Sequence, residues 1–299
     1  MPLKYQIAET KTFEKAKKKI DKKLYLKIKI FVYPQLKENP FYGSNIKKLK
    51  DKNVYEHIEK EGNYLFRHRG EIPVILFVLA IPVVFFTTTE NISEQWLNFI
   101  TWGAIFLSFL GFVIRAIAIA TTPKGTSGRN TKEGQVAESL NTTGIYSVVR
   151  HPLYLGNYFM WIGIVIYTFN LSFVIIVTLA FWLYYERIMF AEERFLERKF
   201  GDSYMNWANR TSGFLPEFSS YVSNVVPFSF RSVLRREYSG ILATVVGFAF
   251  IDDLRRYFET EEFILYTPWH YAVMVSLVLV IILRSLKHYT SVLQEEGRS

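Results

Sequence analysis

An Arg-His-Pro triplet, Arg150-His151-Pro152, opens an apolar, aromatic run that reads GIYSVVRHPLYLGNYFMWIG over residues 144–163. Proline suits the first turn of a helix, where its missing N–H is no loss. Arg150 and His151 are then expected beside the exposed N–H groups and positive dipole end of that helix, a place that attracts carboxylate, phosphate or sulfate. A plainer reading, an arginine that anchors a membrane span at headgroup level, stays open. Farther along, Tyr154, Asn157, Tyr158 and Trp161 recur at i, i+3, i+4 and i+7, one face of a helix. That face suits a flat heterocycle such as adenine, or an ordinary interfacial belt. Gly156 and Gly163 permit close helix approach.

A second chemistry-bearing stretch, LYYERIMFAEERFLERKFGDSYMNWANRTSGFLPEF, occupies residues 183–218. Glu186 lies inside a predicted apolar run, and an ionisable residue there is a functional candidate by default. Glu186 and Glu193 are seven residues apart and share a helical face, while Arg187 and Arg194 share a neighbouring one. Surface ion pairs beyond the membrane edge account for Glu197 and Arg198, but poorly for Glu186. If the two stretches lie on adjacent antiparallel helices, the Arg-His pair and the acidic cluster meet at one membrane face.

The elements that must position these residues are read from hydropathy. Half of the 299 residues are hydrophobic, with 26 Phe and 19 Tyr, and they gather in runs separated by charge, the pattern of transmembrane helices. Six spans are predicted, at about 71–88, 96–120, 153–169, 171–190, 238–251 and 268–286. The third and fourth are joined only around Asn170, which makes them a tight hairpin. The fifth is short for a crossing of ~20 residues. Pro73 and Pro82 fall in the first, where neighbouring helices can satisfy the freed carbonyls. The fold class is therefore all-α, a polytopic membrane helical bundle with a basic cytoplasmic amino-terminal segment. Three regions are expected: a basic segment 1–70 on the membrane surface or forming a small domain, a core 71–216, and an extension 217–299 with the last two spans.

The net charge of +9 is concentrated, since half of all Lys and Arg lie in the first 70 residues. No nucleic-acid motif accompanies them and hydrophobic spans follow directly, so an anionic membrane surface is the expected partner rather than nucleic acid. Stretches such as LYLKIKIFVY are expected to lie on the leaflet. The opening residues lack the apolar core of a signal peptide. The Lys/Arg bias of the loops places both termini and both motif-bearing segments on the cytoplasmic side. The 121–143 loop, rich in Gly, Ser, Thr and Asn, is long enough to cover or bind something.

Absences narrow the chemistry further. There is no cysteine, which excludes thiolate metal sites, disulfides and cysteine nucleophiles. The five histidines, 57, 68, 151, 270 and 288, show no metal-ligand spacing, so no metal is expected. No G-x-G-x-x-G, Walker A loop or G-x-S-x-G elbow occurs.

With these residues in view, the chain resembles the integral-membrane methyltransferases related to isoprenylcysteine carboxyl methyltransferase and phospholipid N-methyltransferase. The resemblance covers about 121–216 and rests on Arg-His-Pro-x-Tyr-x-Gly, Glu-Glu, Phe-Gly-x-x-Tyr and an arginine before a proline, in that order. It implies a cytosol-facing pocket for S-adenosylmethionine and a lipid acceptor entering from the bilayer. It also implies that His151, Tyr154 and Gly156, with Asn157 on the same face, contact the cofactor, that Arg150 lies near its carboxylate, and that Glu192 or Glu193 holds its amino group or ribose. Arg210, in NRTSGFLP, matches the arginine that orients an acceptor carboxylate in the family. The run TSGRNTKEGQVAESLNTTGIYSVVRHPLYLGNYFMW resembles bacterial members that act on the lipid A 1-phosphate, which implies the inner membrane as the location. The lysine-rich arm and spans five and six depart from the prenyl enzymes and argue against a prenylcysteine acceptor.

Methyl transfer to an anionic acceptor needs alignment and dryness rather than a base. Arg210, with Arg129 or Lys124 from the polar loop, suits an anion clamp, with Asn130 and Trp161 as further acceptor contacts. An ammonium acceptor requires a base, for which Glu186 or His151 is nearest. The expected activity is O-methylation of an anionic lipid headgroup. Isoprenylcysteine-type or phospholipid N-methylation, an NADPH-dependent membrane reductase, and a non-enzymatic transporter or scaffold stay open as alternatives.

Overall fold

The computed structural model describes residues 20–34, 52–126, 129–131 and 134–298. The chain forms two compact units, residues 1–58 and 59–299. In the first, α1 (Lys22–Lys27) starts at Asp21, whose carboxylate accepts from the Lys23 N–H at 3.0 Å, and runs on into a wider π-helical turn, Ile28–Val32. A helix spreads the alternating apolar residues of LYLKIKIFVY around its girth, so Leu24, Leu26 and Ile30 are all exposed.

Among the described residues the rest consists of helices, their connecting loops and one short ribbon. Its elements are α2 (Lys52–Arg67), which begins before the unit boundary, α3 (Ile72–Phe85) and α4 (Glu94–Ala120). A ribbon of β1 (Arg129–Thr131) and β2 (Gly134–Val136) follows, paired antiparallel with Asn130 opposite Gln135. Then come α5 (Ile145–Val148), α6 (Pro152–Ile166), α7 (Leu171–Phe200), α8 (Asp202–Ala208), α9 (Phe230–Thr260) and α10 (Pro268–Tyr289).

Among the described residues, α4, α7 and α10 are long and apolar enough to cross a membrane; Val74–Phe85 of α3 and α6 are shorter apolar helices. Their outward faces are greasy. Phe99, Trp102, Phe106 and Phe109 on α4, Ile175, Ile176 and Leu179 on α7, and Val275, Val278 and Ile281 on α10 are exposed. Such a surface is stable against lipid and unstable against water. The protein is an integral-membrane helical bundle.

The six stretches predicted as spans fall on α3, α4, α6, α7, α9 and α10, of which α4, α7 and α10 have the length and apolarity to cross, and the largest difference in extent is at the fifth. There α9 runs over 31 residues. Its apolar middle is short because charges at both ends are paired inside the bundle: Glu237 with Arg115, and Asp252 with Tyr167 and Arg256. α9 packs against α3, α4, α6 and α10, which binds the last two helices to the same unit as the core.

The tightest seam joins α4 to α6. Ala104, Ser108 and Gly111 meet Gly163, Met160 and Gly156, and the Ser108 hydroxyl donates to the Met160 carbonyl at 2.8 Å. Small residues let the two backbones touch, the usual solution for helices in lipid. At the far end of the bundle, Asn170 caps α7 by accepting from the Phe173 N–H and donates to Thr87 at 2.9 Å, closing the hairpin predicted there.

The carboxyl-terminal tail folds back on the opposite end. Leu293 is buried, the Lys124 N–H donates to the Gly297 carbonyl at 2.9 Å, and Arg298 donates to the carbonyls of Ala120 and Pro227. Ser229, the α9 cap, donates to Glu295. The tail thus clips the start of the polar loop to the start of α9.

Candidate functional site

Pro152 occupies the first turn of α6 and His151 its N-cap position, as its sequence predicts. α6 and the last turns of α7 come together at the end of the bundle where the tail is clipped. His151, 6% exposed, puts Nε2 2.8 Å from Glu193 Oε1 and Nδ1 3.7 Å from Glu192 Oε2, so one ring spans both carboxylates. Tyr154 donates its hydroxyl to Glu192 Oε2 at 3.0 Å and stacks on His151, with ring centroids 5.7 Å apart.

Arg150 lies on the same wall with its guanidinium occupied. Nε donates to Glu193 Oε1 at 2.8 Å, and Nη1 donates to the carbonyls of Ala208 and Thr211 at 2.7 and 2.8 Å. It fastens the segment after α8 to α7.

These groups line a cavity of about 220 Å³. The polar loop contributes Thr126, Ser139 and Asn141, α5 contributes Tyr146, and α8 contributes Tyr204 and Trp207. Desolvation, followed by the charge of Glu192, pushes the Tyr146 phenol up to about 12. Desolvation and then Glu193 raise Tyr204 in the same direction. Both phenols therefore stay neutral near pH 7 and can donate hydrogen bonds.

The far wall comes from residues that the sequence motifs did not point to. On α4, Arg115 makes a bidentate pair with Glu237 of α9 at 2.6 and 2.7 Å and donates to Asn157 at 2.6 Å. The Glu237 side chain is 1% exposed. Arg236 and Arg69 complete the lining. Arg115 had a signal available, since it interrupts FVIRAIAIA, and an ionisable residue inside an apolar run is conspicuous. Glu237 and Arg69 had none, because their importance depends on partners far away in the chain.

A second, apolar cavity of about 80 Å³ is lined by Leu76, Trp161, Val177, Ala180, Phe181, Tyr184, Tyr185 and again Arg69. Tyr154 on the first cavity and Tyr185 on the second have ring centroids 4.9 Å apart.

Of the residues expected at the site, Arg150, His151, Tyr154, Asn157, Glu192 and Glu193 lie on the polar wall, and Trp161 lies on the apolar one. Several others are elsewhere. Gly156 faces α4, where an added Cβ would meet Arg115 and the Gly111 carbonyl, so it serves helix packing. Glu186 shares a face with Glu193 but is exposed. Seven residues of helix are about 10 Å, enough to take it off a cavity built only around the last turns of α7. Arg210 is exposed and off both walls, and so is Lys124, which is tied to the tail through its backbone. The backbones of Arg129 and Asn130 form β1, and their side chains lie outside the described set. Among the described residues no group of three or more His, Asp or Glu is arranged to hold a metal ion.

Comparison with known proteins agrees with this architecture. The family described as "Phospholipid methyltransferase" matches residues 99–203, from α4 to α8. The nickel-cobalt-cadmium resistance protein NccN of Alcaligenes xylosoxydans xylosoxydans is 30% identical over 162 residues, 54% of this chain and 70% of that protein. The cobalt-zinc-cadmium resistance protein CzcN of Cupriavidus metallidurans is 30% identical over 161 residues, 53% of this chain and 68% of that protein. The protein-S-isoprenylcysteine O-methyltransferase of Xenopus laevis is 31% identical over 133 residues, 43% of this chain and 46% of that protein. No solved structure matches. A bundle whose matched helices carry the Arg-His-Pro and Glu-Glu stretches to one wall belongs to the integral-membrane methyltransferase superfamily of the phospholipid and isoprenylcysteine methyltransferases.

Proposed function

We propose that the chain is an S-adenosylmethionine-dependent O-methyltransferase acting on an anionic lipid headgroup, a lipid phosphate such as the lipid A 1-phosphate, with the polar cavity open to the cytoplasm of a bacterial inner membrane. The observation that carries this reading is the carboxylate pair Glu192–Glu193, bridged by His151 on a polar cavity that has an apolar cavity beside it. Lys and Arg crowded into the first 70 residues support the orientation.

The donor set fits the cofactor. A carboxylate pair suits an amino group and ribose hydroxyls, Tyr146, Tyr204 and Trp207 suit a flat ring, and wall arginines suit a carboxylate. When bound, S-adenosylmethionine supplies a sulfonium-activated methyl group, which an anionic oxygen accepts as the C–S bond breaks, with no proton to remove. Glu193, engaged by Arg150 and His151, holds the floor of the site in place. Glu192 retains acceptor capacity beyond the Tyr154 hydroxyl, because a carboxylate offers about four acceptor positions. Tyr204 and Trp207, on the segment that Arg150 fastens, line the cavity with aromatic surface that limits water.

The test is calorimetric titration of the purified protein with S-adenosylmethionine and, separately, with NADPH, followed by transfer of labelled methyl into lipids of bacterial membranes. Binding of S-adenosylmethionine alone, with label in an acidic lipid, is expected. Tight NADPH binding without S-adenosylmethionine binding overturns the reading in favour of a reductase, and binding of neither favours a scaffold or transporter.

A further inference from the structure

Hydrogen bonds on the cavity walls carry a direction, because some groups can only donate and others only accept. Glu237 on α9 accepts from Arg115 on α4 through both carboxylate oxygens, at 2.6 and 2.7 Å. A guanidinium has no acceptor, so the Asn157 atom that meets Arg115 Nη1 at 2.6 Å is the amide oxygen. The amide nitrogen of Asn157 is thereby turned to Tyr185 on α7, whose hydroxyl oxygen accepts at 3.4 Å. A phenol that accepts in this bond still has its own proton to place. Tyr154 gives its proton to Glu192, and Tyr184 gives its proton to the Leu65 carbonyl. Among the described residues the Tyr185 proton has no such acceptor.

The direction of that hydroxyl is fixed by packing. Tyr185 is 7% exposed, and its ring stacks on Phe181 with centroids 4.1 Å apart, with Tyr154 and Tyr184 at 4.9 and 5.0 Å. Tyr185 lines the apolar cavity and Asn157 the polar one, so the hydroxyl lies where the two linings meet. A buried donor left unpaired costs free energy, which a ligand oxygen at that place removes.

We propose that the Tyr185 hydroxyl donates to a headgroup oxygen of the methyl acceptor, aimed there by the chain Glu237–Arg115–Asn157. This rests on the methyltransferase reading given above and names a residue that selects its acceptor. A neutral donor orients an anionic oxygen without the tight ion pair that would blunt it as a nucleophile, and leaves its other lone pairs for methyl transfer. A quaternary or protonated ammonium has no lone pair to offer, so Tyr185 discriminates against it.

The experiment uses the full chain in neutral-lipid nanodiscs and reads quenching of Trp161, which lines the same cavity as Tyr185, isolated by subtracting the Trp161→Phe variant. The probes are dodecyl phosphate, dodecanol and dodecyltrimethylammonium, each brominated on the chain and each its own reference between wild type and variant. Tyr185→Phe keeps the ring and removes the proton. It is expected to raise the half-quenching concentration of dodecyl phosphate roughly tenfold and that of dodecanol roughly fivefold, with the ammonium probe unchanged. Asn157→Asp turns an oxygen instead of an N–H to Tyr185 and draws the proton away from the ligand. Dodecanol, which carries no charge to be repelled, is expected to lose the same fivefold there, and this variant decides the matter if Tyr185→Phe does not fold. An equal loss for all three probes assigns Tyr185 to packing and overturns the proposal. So does an unchanged response in both variants, or quenching by no probe. A parallel S-adenosylmethionine titration keeps the two readings separate. Loss of donor binding in Tyr185→Phe assigns the hydroxyl to the donor and overturns the proposal. If the wild type binds no donor, the methyltransferase reading fails, while the quenching still decides whether Tyr185 holds a ligand oxygen.

Discussion

Glu193 accepts from Arg150 and His151 through the same oxygen, and this junction fixes the register of three elements: the α6 N-terminus, the last turns of α7 and the segment after α8. Glu193→Gln keeps the shape and removes the charge. A charge-assisted hydrogen bond is worth about 1.5–3 kcal/mol, so donor affinity measured by calorimetry is expected to fall ~10–100-fold. Arg210→Ala, on an exposed residue off both walls, is expected to leave that affinity within about twofold. Tyr146 offers a spectroscopic check. An ordinary tyrosine is mostly phenolate by about pH 11, whereas Tyr146, pushed up to about 12, remains neutral there. Tyr146→Phe should therefore leave the phenolate absorbance titration unchanged below about pH 11. The legible residues were those whose meaning is local. Pro152 announces a helix start by its own chemistry, while Glu192 and Glu193 were singled out by the Glu-Glu motif of the resembling family. Glu237 was not legible, because its value comes from an arginine 122 positions away, and nothing in the surrounding sequence identifies that partner. Glu186 was over-read for the converse reason: periodicity reports a face of the helix, not what stands beside that face at a given height.

At the scale of elements, the site depends on how closely α6 lies against α4. Gly111 and Gly156 oppose one another, and an added Cβ at Gly156 would meet both the Gly111 carbonyl and the Arg115 side chain. Gly156→Val is therefore expected to destabilise the bundle by about 1–3 kcal/mol or more and to displace Arg115 from Asn157; a lower unfolding midpoint and a weaker donor titration would both register it. The hairpin of α6 and α7 was legible because Asn170 leaves almost no loop and also makes a good cap. α9 was read as half its length. Hydropathy counts each charge as a cost of burial, whereas Glu237 and Asp252 are neutralised by neighbours that a one-dimensional scan does not see.

On the scale of the molecule, the matched region ends at residue 203, yet the cavity is walled on one side by α9. The Arg115–Glu237 pair crosses that boundary with Glu237 almost completely buried. Removing one partner of such a pair leaves an uncompensated charge and typically costs about 3–5 kcal/mol. Glu237→Ala should accordingly lower the unfolding midpoint sharply, and expressing 1–216 without the last two helices should yield a chain that binds no donor.

The clip formed by the carboxyl-terminal tail has a consequence in time. Ala120 must wait for Arg298, 178 residues later in synthesis, before its carbonyl is capped. Long-range closures of this kind form late, because the intervening chain must first be brought together. The end of the bundle that carries the cavity would then be the last part of the protein to mature, so that during biogenesis the helices can insert into the bilayer well before that end is closed.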